Sequence, residues 1–286
     1  MKKKVLKRIL KISALVLAIV LIIGVCAFAN GLIGNPISKA LARYTAEKHV
    51  AEVYGDTDYE LVDVTYSFKD GYYHAVVSSP SSVDTHFTLM INSFGVLNYD
   101  NYDHYVKSGW NTASRIDTDY RKAVDTVFES KAFPYHAYIS YGELMFVSSD
   151  YKDASDIPEY ALITEELTPD AYYNANLLGA KSGKLTVYID DENVTPERLA
   201  EILLDIRRTF DSAGIGFYAI DCVLEYPRDE NGFYEDGRVE VMDFLHSDIY
   251  EDGLVERVNA SNDAANAYYS AQDAEKLAEE FFDDVE

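Results

Sequence analysis

The amino terminus is the feature that most constrains this chain. An uncharged run, Ile12–Ala29, follows six cations. The cations are Lys2, Lys3, Lys4, Lys7, Arg8 and Lys11. Counted from Ile9, the mostly apolar stretch is 21 residues long, which at about 1.5 Å of helical rise per residue just crosses a hydrocarbon core about 30 Å thick. A cationic start followed by an apolar run is typical of a signal for export or membrane insertion.

This run has two interpretations. As an uncleaved anchor, it predicts a single-pass protein of the cell membrane, with the cations inside and the rest of the chain outside the cytoplasm. As a signal peptide, it has an apolar region at Ile12–Val25 and a small-x-small cleavage pattern at Ala27-Phe28-Ala29, and it predicts secretion after cleavage near Ala29. Both interpretations place the remainder outside the cytoplasm.

The charge of that remainder restricts its partners. The chain carries a net charge of −24 and its first 29 residues contribute +6, so the remainder carries −30. An acidic surface of this size repels nucleic acid and anionic lipid. We therefore exclude nucleic acid as a partner and expect attachment to the membrane through the N-terminal helix. The same surface attracts cations or a basic partner.

Cysteine usage is consistent with a fold that relies on its core. Cys222 is the single cysteine after the N-terminal run, so no intrachain disulfide can form there, and its apolar surroundings in sequence predict burial. We expect no cofactor.

The hydrophobic periodicity predicts an α+β fold of two small domains, each with a helix packed on an antiparallel or mixed sheet, after an N-terminal membrane helix. The expected divisions are residues 1–29 for the anchor or signal peptide, 30–150 for the first domain, 151–182 for a connection and 183–286 for the second domain.

In the first domain, Asn35-Pro36 predicts the start of a helix that reaches Tyr54. Three strands of alternating pattern follow at 62–68, 73–77 and 83–91. A three-residue loop, Pro80-Ser81-Ser82, would pair Val77 with Thr85 and Ala75 with Phe87, and it would keep the apolar faces together. A helix at 110–131 and a strand at 135–147 are expected to complete this domain.

The second domain is expected to follow the order β-α-β-β-α, an open sandwich of ferredoxin-like character. Thr195-Pro196 predicts a helix start and Gly214 a helix end. Two strands are expected at 215–226 and 238–245, separated by a turn at Asp229–Gly232. The final helix is expected to span 263–282, with Leu277 and Phe281 on its apolar face.

Several segments resemble the YfjL-like proteins, which are uncharacterised, membrane-anchored proteins of Gram-positive bacteria. These segments are Gly34-Asn35-Pro36-Ile37-Ser38, the Phe68–Tyr73 hairpin, the stretch SSPSSVDTHF from Ser78 to Phe87, and Ala200–Pro227 with its Phe217-Tyr218-Ala219-Ile220-Asp221. The resemblance implies two α+β domains on an N-terminal anchor. It implies no activity and no catalytic residue.

The expected register suggests one weak metal site. His86 would lie opposite Val76 with His74 as its diagonal neighbour, and Asp84 would share that face. Diagonal Cβ atoms lie roughly 7 Å apart, and two imidazoles with a carboxylate form a ligand set that Zn²⁺ accepts. Solvated strand histidines are the plainer interpretation.

Two further groups of polar residues lack a recognised motif. The serines at 78, 79, 81 and 82 precede His86 on one hairpin and have no nucleophile elbow, so a turn is expected. Three acidic clusters, at 100–103, 190–193 and 229–231, do not match a calcium loop. The 24 tyrosines predict strand packing and also suit a surface that holds a sugar or a peptide.

From these features we expect an envelope-tethered, extracytoplasmic binding, sensing or scaffolding module with an unknown envelope ligand or protein partner and with no evident catalytic activity. The alternative is an exported hydrolase or cell-wall enzyme with an unrecognised site. A shallow aromatic groove or an exposed sheet edge favours the first hypothesis, and a deep polar cleft favours the second.

Overall fold

The computed structural model describes residues 2–155, 157–228 and 237–283. The chain forms two compact units, which confirms the expected α+β class with two domains. Unit 1 comprises Met1–Asn111 and Thr168–Asp170, and unit 2 comprises Thr112–Leu167 and Ala171–Glu286.

The N-terminal run forms a helix, α1 (Lys2–Ile33), as expected. Within the described part of the chain, α1 supplies the single stretch that is long and apolar enough to cross a membrane. From Leu10 onward, its apolar side chains are not covered by the other described residues. Length and composition therefore fit either an anchor or a signal sequence.

The helix α2 (Pro36–Val53) begins where the sequence predicts. The Asn35 side chain accepts a hydrogen bond from the Ser38 backbone N–H at 2.8 Å, and Pro36 occupies the first helical position. The buried face of α2 repeats every four residues and consists of small side chains followed by one valine. These residues are Ser38, Ala42, Ala46 and Val50.

Unit 1 packs α2 on a four-stranded antiparallel sheet in the order β1 (Glu60–Tyr66), β2 (Tyr73–Ser79), β3 (Ser82–Ile91), β4 (Leu97–Asp100). A short π-helical turn, Asp103–Lys107, follows β4. The core lies between α2 and the inward face of the sheet. It contains Val64, Tyr73, Ala75, Val77, Phe87, Leu89 and Ile91.

The predicted register of β2 and β3 was wrong by two residues. Val77 pairs with Phe87 and Ala75 with Leu89, whereas Ser79 pairs directly with Ser82. The loop therefore contains only Pro80 and Ser81, and the extra residues form a bulge in β3. A shift of two residues keeps His86 and the residues after it on their expected faces, so hydrophobic alternation there does not reveal it, whereas within the bulge Asp84 is buried and Val83 is exposed.

Unit 2 begins within α3 (Trp110–Phe128), whose first two residues belong to unit 1. The next elements are β5 (Ala137–Leu144), two short paired strands, β6 (Phe146–Val147) and β7 (Leu162–Ile163), and a short helix, α4 (Ala175–Ser182). The remaining elements follow the predicted β-α-β-β-α order. They are β8 (Gly183–Asp190), α5 (Pro196–Ala213), β9 (Ala219–Glu225), β10 (Arg238–Leu245) and α6 (Leu254–Asp283).

The sheet of unit 2 is mixed, in the order β10-β9-β8-β5. Strands β8 and β9 are parallel and adjacent, whereas the outer pairs are antiparallel. The arrangement differs from the expected ferredoxin-like one, in which another strand separates the two parallel strands. The core contains buried side chains from α3, α5 and α6 as well as from the sheet, and Cys222 is among them as predicted.

The expected domain boundary at residue 150 does not match the compact units. The α3 helix contributes Ile116, Tyr120 and Val124 to the core of unit 2, and β5 pairs with β8. The segment expected as a connection, 151–182, holds β7 and α4 within unit 2, apart from Thr168–Asp170. The predicted turn at Asp229–Gly232 and the side chains of Leu277 and Phe281 lie outside the described residues.

We predict that Ile116→Ala destabilises unit 2 by about 2–5 kcal/mol, because truncation of a buried isoleucine removes apolar contacts and leaves a cavity. Hydrogen exchange measured by mass spectrometry on the full chain should show lower protection in 183–225. Protection in 60–91 should not change, and the exposed neighbour variant Ser114→Ala should resemble the wild type. A loss of protection confined to 60–91 would assign α3 to unit 1.

Candidate functional site

An open groove lies at the end of unit 1 where α2 finishes. Its cavity volume is about 430 Å³. The groove, hereafter the tyrosine groove, is lined by Glu47, Val50, Ala51, Tyr54, Gly55, Thr57, Tyr59 and Leu61. The chain reaches this position because α2 ends at Val53 and the loop that follows turns back into β1.

A hydrogen-bond network around Asp100 fixes one wall of the tyrosine groove. The Tyr54 hydroxyl donates to Asp100 Oδ2 at 2.7 Å, and His49 Nε2 lies 2.8 Å from the same oxygen. The backbone N–H of Tyr102 donates to Asp100 Oδ1 at 2.9 Å. One carboxylate at the end of β4 therefore holds side chains from the last turns of α2.

An aromatic cluster lies behind the groove. The ring of Tyr54 contacts those of Tyr59, Phe87 and Tyr102, with centroids 5.1–5.5 Å apart. The hydroxyls of Tyr59 and Tyr102 lie 3.4 Å apart. Such tilted and edge-to-face pairs are favourable arrangements for aromatic rings. Because both groove tyrosines have hydroxyl partners, their rings are held in place as walls.

The protonation of these tyrosines argues against acid–base chemistry. Burial, together with the hydrogen bond to Asp100, raises the pKa of Tyr54 above its usual range. Burial and the contact with Tyr102 raise the pKa of Tyr59 to about 12. An efficient general acid or base has a pKa near the operating pH, so these hydroxyls are suited to holding the rings and not to transferring protons.

The loop that carries Thr57 and Tyr59 is tied to the β2–β3 hairpin through Asp58. Its carboxylate accepts hydrogen bonds from Ser79 Oγ at 2.7 Å and from Ser81 Oγ at 2.5 Å. Hydrogen bonds from Ser81 and Ser79 lower the pKa of Asp58. Two of the four serines of this hairpin, Ser79 and Ser81, therefore bind the carboxylate of a neighbouring turn.

A second, polar pocket lies in unit 2 at the carboxyl ends of the parallel strands β8 and β9, a common position for ligand sites. Its volume is about 340 Å³, and it is lined by His136, Tyr138, Asp190, Glu225, Tyr226 and Arg228. His136 Nδ1 lies 2.5 Å from Asp190 Oδ1, and the Tyr138 hydroxyl donates to Glu225 at 2.6 Å. Burial and the bond to Glu225 raise the pKa of Tyr138 above its usual range.

The structure does not bring His74, His86 and Asp84 together. His74 lies opposite Met90 and His86 opposite Ser78, which separates the two positions by four residues of strand, about 13 Å. His74 pairs with Asp70 at 2.8 Å, and the buried Asp84 accepts a hydrogen bond from the Asp170 backbone. Among the described residues, no group of three or more His, Cys, Asp or Glu side chains is arranged to hold a metal ion.

In the two acidic clusters that the structure describes, carboxylates bind protein groups. Asp190 pairs with His136, and Asp191 accepts hydrogen bonds from Arg198. Asp100 belongs to the groove network, whereas the carboxylate of Asp103 lies 3.6 Å from Lys107. The third cluster, Asp229, Glu230 and Asn231, lies outside the described residues.

No site role was predicted for His49, Tyr54 or Tyr59. A weak signal was present, because Tyr54 is the residue at which the predicted helix ends. The partner Asp100 is 46 residues further along the chain, and local periodicity contains no information about such a contact. Of the two tyrosines that flank Asp100 at residues 99 and 102, Tyr102 joins the groove network, whereas Tyr99 is exposed.

These features define a protein with two α+β domains that follow a long apolar helix. Residues 9–101 match the YfjL-like N-terminal domain, and residues 119–259 match the YfjL-like C-terminal domain. The chain therefore belongs to the YfjL-like family, as the sequence resemblance predicted. No curated protein and no solved structure matches it.

We predict that Asp58→Asn destabilises unit 1 in a pH-dependent way. The folded-state pKa of Asp58 is lowered, so its contribution is present above the unfolded value of about 3.9 and is lost as the pH falls through the folded value. Urea unfolding curves of wild type and variant should therefore differ at pH 7 and converge toward pH 2.

The double variant Ser79→Ala/Ser81→Ala provides the matched control, because it removes the donors and keeps the carboxyl group. It should reproduce the destabilisation at pH 7. An equal difference between wild type and Asp58→Asn at both pH values would contradict the assigned hydrogen bonds.

Proposed function

We propose that this protein is a membrane-anchored module whose extracytoplasmic part captures a cationic ligand in the tyrosine groove. The basic side chains of a polypeptide are the ligand chemistry that fits best. The aromatic walls of the groove carry the proposal, because rings held by internal hydrogen bonds present rigid contact surfaces at little entropic cost.

The charges around the groove support a cationic ligand. From Glu47 to Asp63 the chain contains six carboxylates and one lysine. Glu47 itself lines the groove, and Asp56, Asp58 and Glu60 flank its loop. A cation over a tyrosine face is attracted by the ring quadrupole, and the surrounding carboxylates add long-range attraction.

The exported-hydrolase alternative receives less support. In the polar pocket of unit 2, the carboxylates of Asp190 and Glu225 already pair with His136 and Tyr138. The described residues that line this pocket include no serine, cysteine or lysine as a nucleophile. A shallow aromatic groove was the feature expected of a binding module.

We predict that the full chain binds a short Lys/Arg peptide and that Tyr59→Leu weakens this binding roughly two- to fivefold. A cation–π contact at an exposed site contributes about 0.5–1 kcal/mol. Isothermal titration calorimetry at low salt measures the affinity, and added salt should reduce it.

Three controls accompany this measurement. Tyr59→Phe keeps the ring and loses the hydroxyl contact with Tyr102, so it should bind more tightly than Tyr59→Leu and no more tightly than the wild type. Tyr172→Ala removes an exposed tyrosine of unit 2 and should also have no effect, and a Glu/Asp peptide of equal length should not bind. Equal affinity for the acidic and basic peptides would refute the proposed ligand class.

We predict that a protease added to intact cells degrades the chain beyond about Asn35 and leaves α1 protected. The reason is that the cationic N-terminus stays in the cytoplasm, so the acidic remainder lies outside the cell. Immunoblotting of intact and lysed cells provides the measurement. If the C-terminal unit is digested only after lysis, the proposed topology is wrong.

A further inference from the structure

We infer that the end of unit 1 from which α1 emerges rests on the lipid bilayer and inserts two turns into its interfacial layer. The inference depends on the proposed anchor. We call this surface the membrane-proximal end. It comprises the last turn of α1, the first turns of α2, the β1–β2 turn (67–72) and the β3–β4 turn (92–96).

The strand register places both turns at one end of the sheet. Tyr66 pairs with Tyr73, Tyr73 with Ile91, and Ile91 with Leu97. These four residues form one row across all four strands, and both turns project beyond this row. The β2–β3 turn, Pro80-Ser81, lies at the opposite end.

Hydrogen bonds attach the same row to the junction of α1 and α2. The Tyr66 hydroxyl donates to the Gly31 carbonyl at 3.1 Å. The Asn35 N–H donates to the Tyr73 hydroxyl at 2.8 Å, and that hydroxyl donates to the Asn35 carbonyl at 3.1 Å. Thr45 Oγ1 donates to the Gly95 carbonyl at 2.7 Å, which connects α2 to the β3–β4 turn.

Large apolar side chains are exposed at this end. Phe94 at the tip of one turn is 85% exposed, and Phe68 in the other is 63% exposed. Ile33 and Ile37, on either side of the helix junction, are 78% and 75% exposed. Tyr44, Leu41 and Val96 are exposed as well. Exposed apolar residues that converge from four chain segments mark an interaction surface.

The local charge is also different from that of the whole chain. No carboxylate occurs before Glu47, whereas Lys39 and Arg43 lie on the outer side of α2 and Lys69 is exposed in the β1–β2 turn. The one acidic residue in either turn, Asp70, pairs with His74. The acidic character that repels anionic lipid is therefore concentrated away from this end.

The depth of α1 agrees with lipid as the partner. Ile33 lies four residues beyond Ala29, about 6 Å along the helix axis. The interfacial layer on each side of the hydrocarbon core is roughly 5–8 Å thick. Gly31, which Tyr66 contacts, therefore lies within this layer when α1 spans the core. Tyrosine is enriched at membrane interfaces, and Tyr44 is exposed at this end.

Tryptophan quenching in the reconstituted full chain tests this inference. Trp110 is the chain's single tryptophan, so Trp110→Phe provides a background for one new tryptophan at a time. Phe94→Trp and, independently, Phe68→Trp probe the two turns. Ile22→Trp in α1 is the positive control, and Val83→Trp, exposed beside the opposite turn, is the matched negative control.

The vesicles contain phosphatidylcholine and phosphatidylglycerol, with or without brominated acyl chains. We expect bromolipid to reduce the emission of Phe94→Trp, Phe68→Trp and Ile22→Trp, and to leave Val83→Trp unchanged. If Ile22→Trp is quenched while both turn variants behave like Val83→Trp, α1 is inserted in the bilayer but the membrane-proximal end does not contact lipid. This inference is then wrong, and the proposed anchor is not. If Ile22→Trp is not quenched, the anchor and this inference both fail.

Discussion

The hydroxyl of Tyr73 is the group on which the arrangement of unit 1 depends. It binds both the N–H and the carbonyl of Asn35, and its ring is buried in the core. Gly34 has a φ of +69°, and a Cβ at this position would lie 2.6 Å from that hydroxyl. The chain therefore leaves α1 and enters α2 in a direction that the sheet determines. A glycine is required there because other residues rarely adopt this conformation.

This junction gives unit 1 two unlike ends. Apolar and basic side chains lie near α1, and carboxylates and aromatic rings lie at the tyrosine groove. The α2 helix joins the two ends over 18 residues, about 27 Å. The net charge of −24 does not reveal this asymmetry, because it adds the basic groups near α1 to the carboxylates in the rest of the chain. The separation is compatible with lipid contact at one end and capture of a cationic ligand at the other.

Local signals in the sequence predicted local features well. Asn35-Pro36 and Thr195-Pro196 start helices as expected, and Gly214 ends α5 in a left-handed conformation. Features that depend on distant residues were not predictable. The partner of β5 is β8, and strand alternation contains no information about which strand is adjacent. The bulge in β3 moved His86 away from His74 but left His86 on its expected face, because the side-chain period is two, whereas Asp84 within the bulge turned inward.

The packing of α2 favours capture or scaffolding over signalling through helix movement. Ala42 and Ala46 are fully buried, and such small side chains let the helix lie close to the sheet. Close-packed interfaces resist small displacements. The C-terminal part of the same helix is fixed by the bonds from His49 and Tyr54 to Asp100, and its start is fixed by Tyr73. Because both ends are held, the tyrosine groove lies at a constant distance from α1, and the proposed capture of a ligand there does not require the helix to shift.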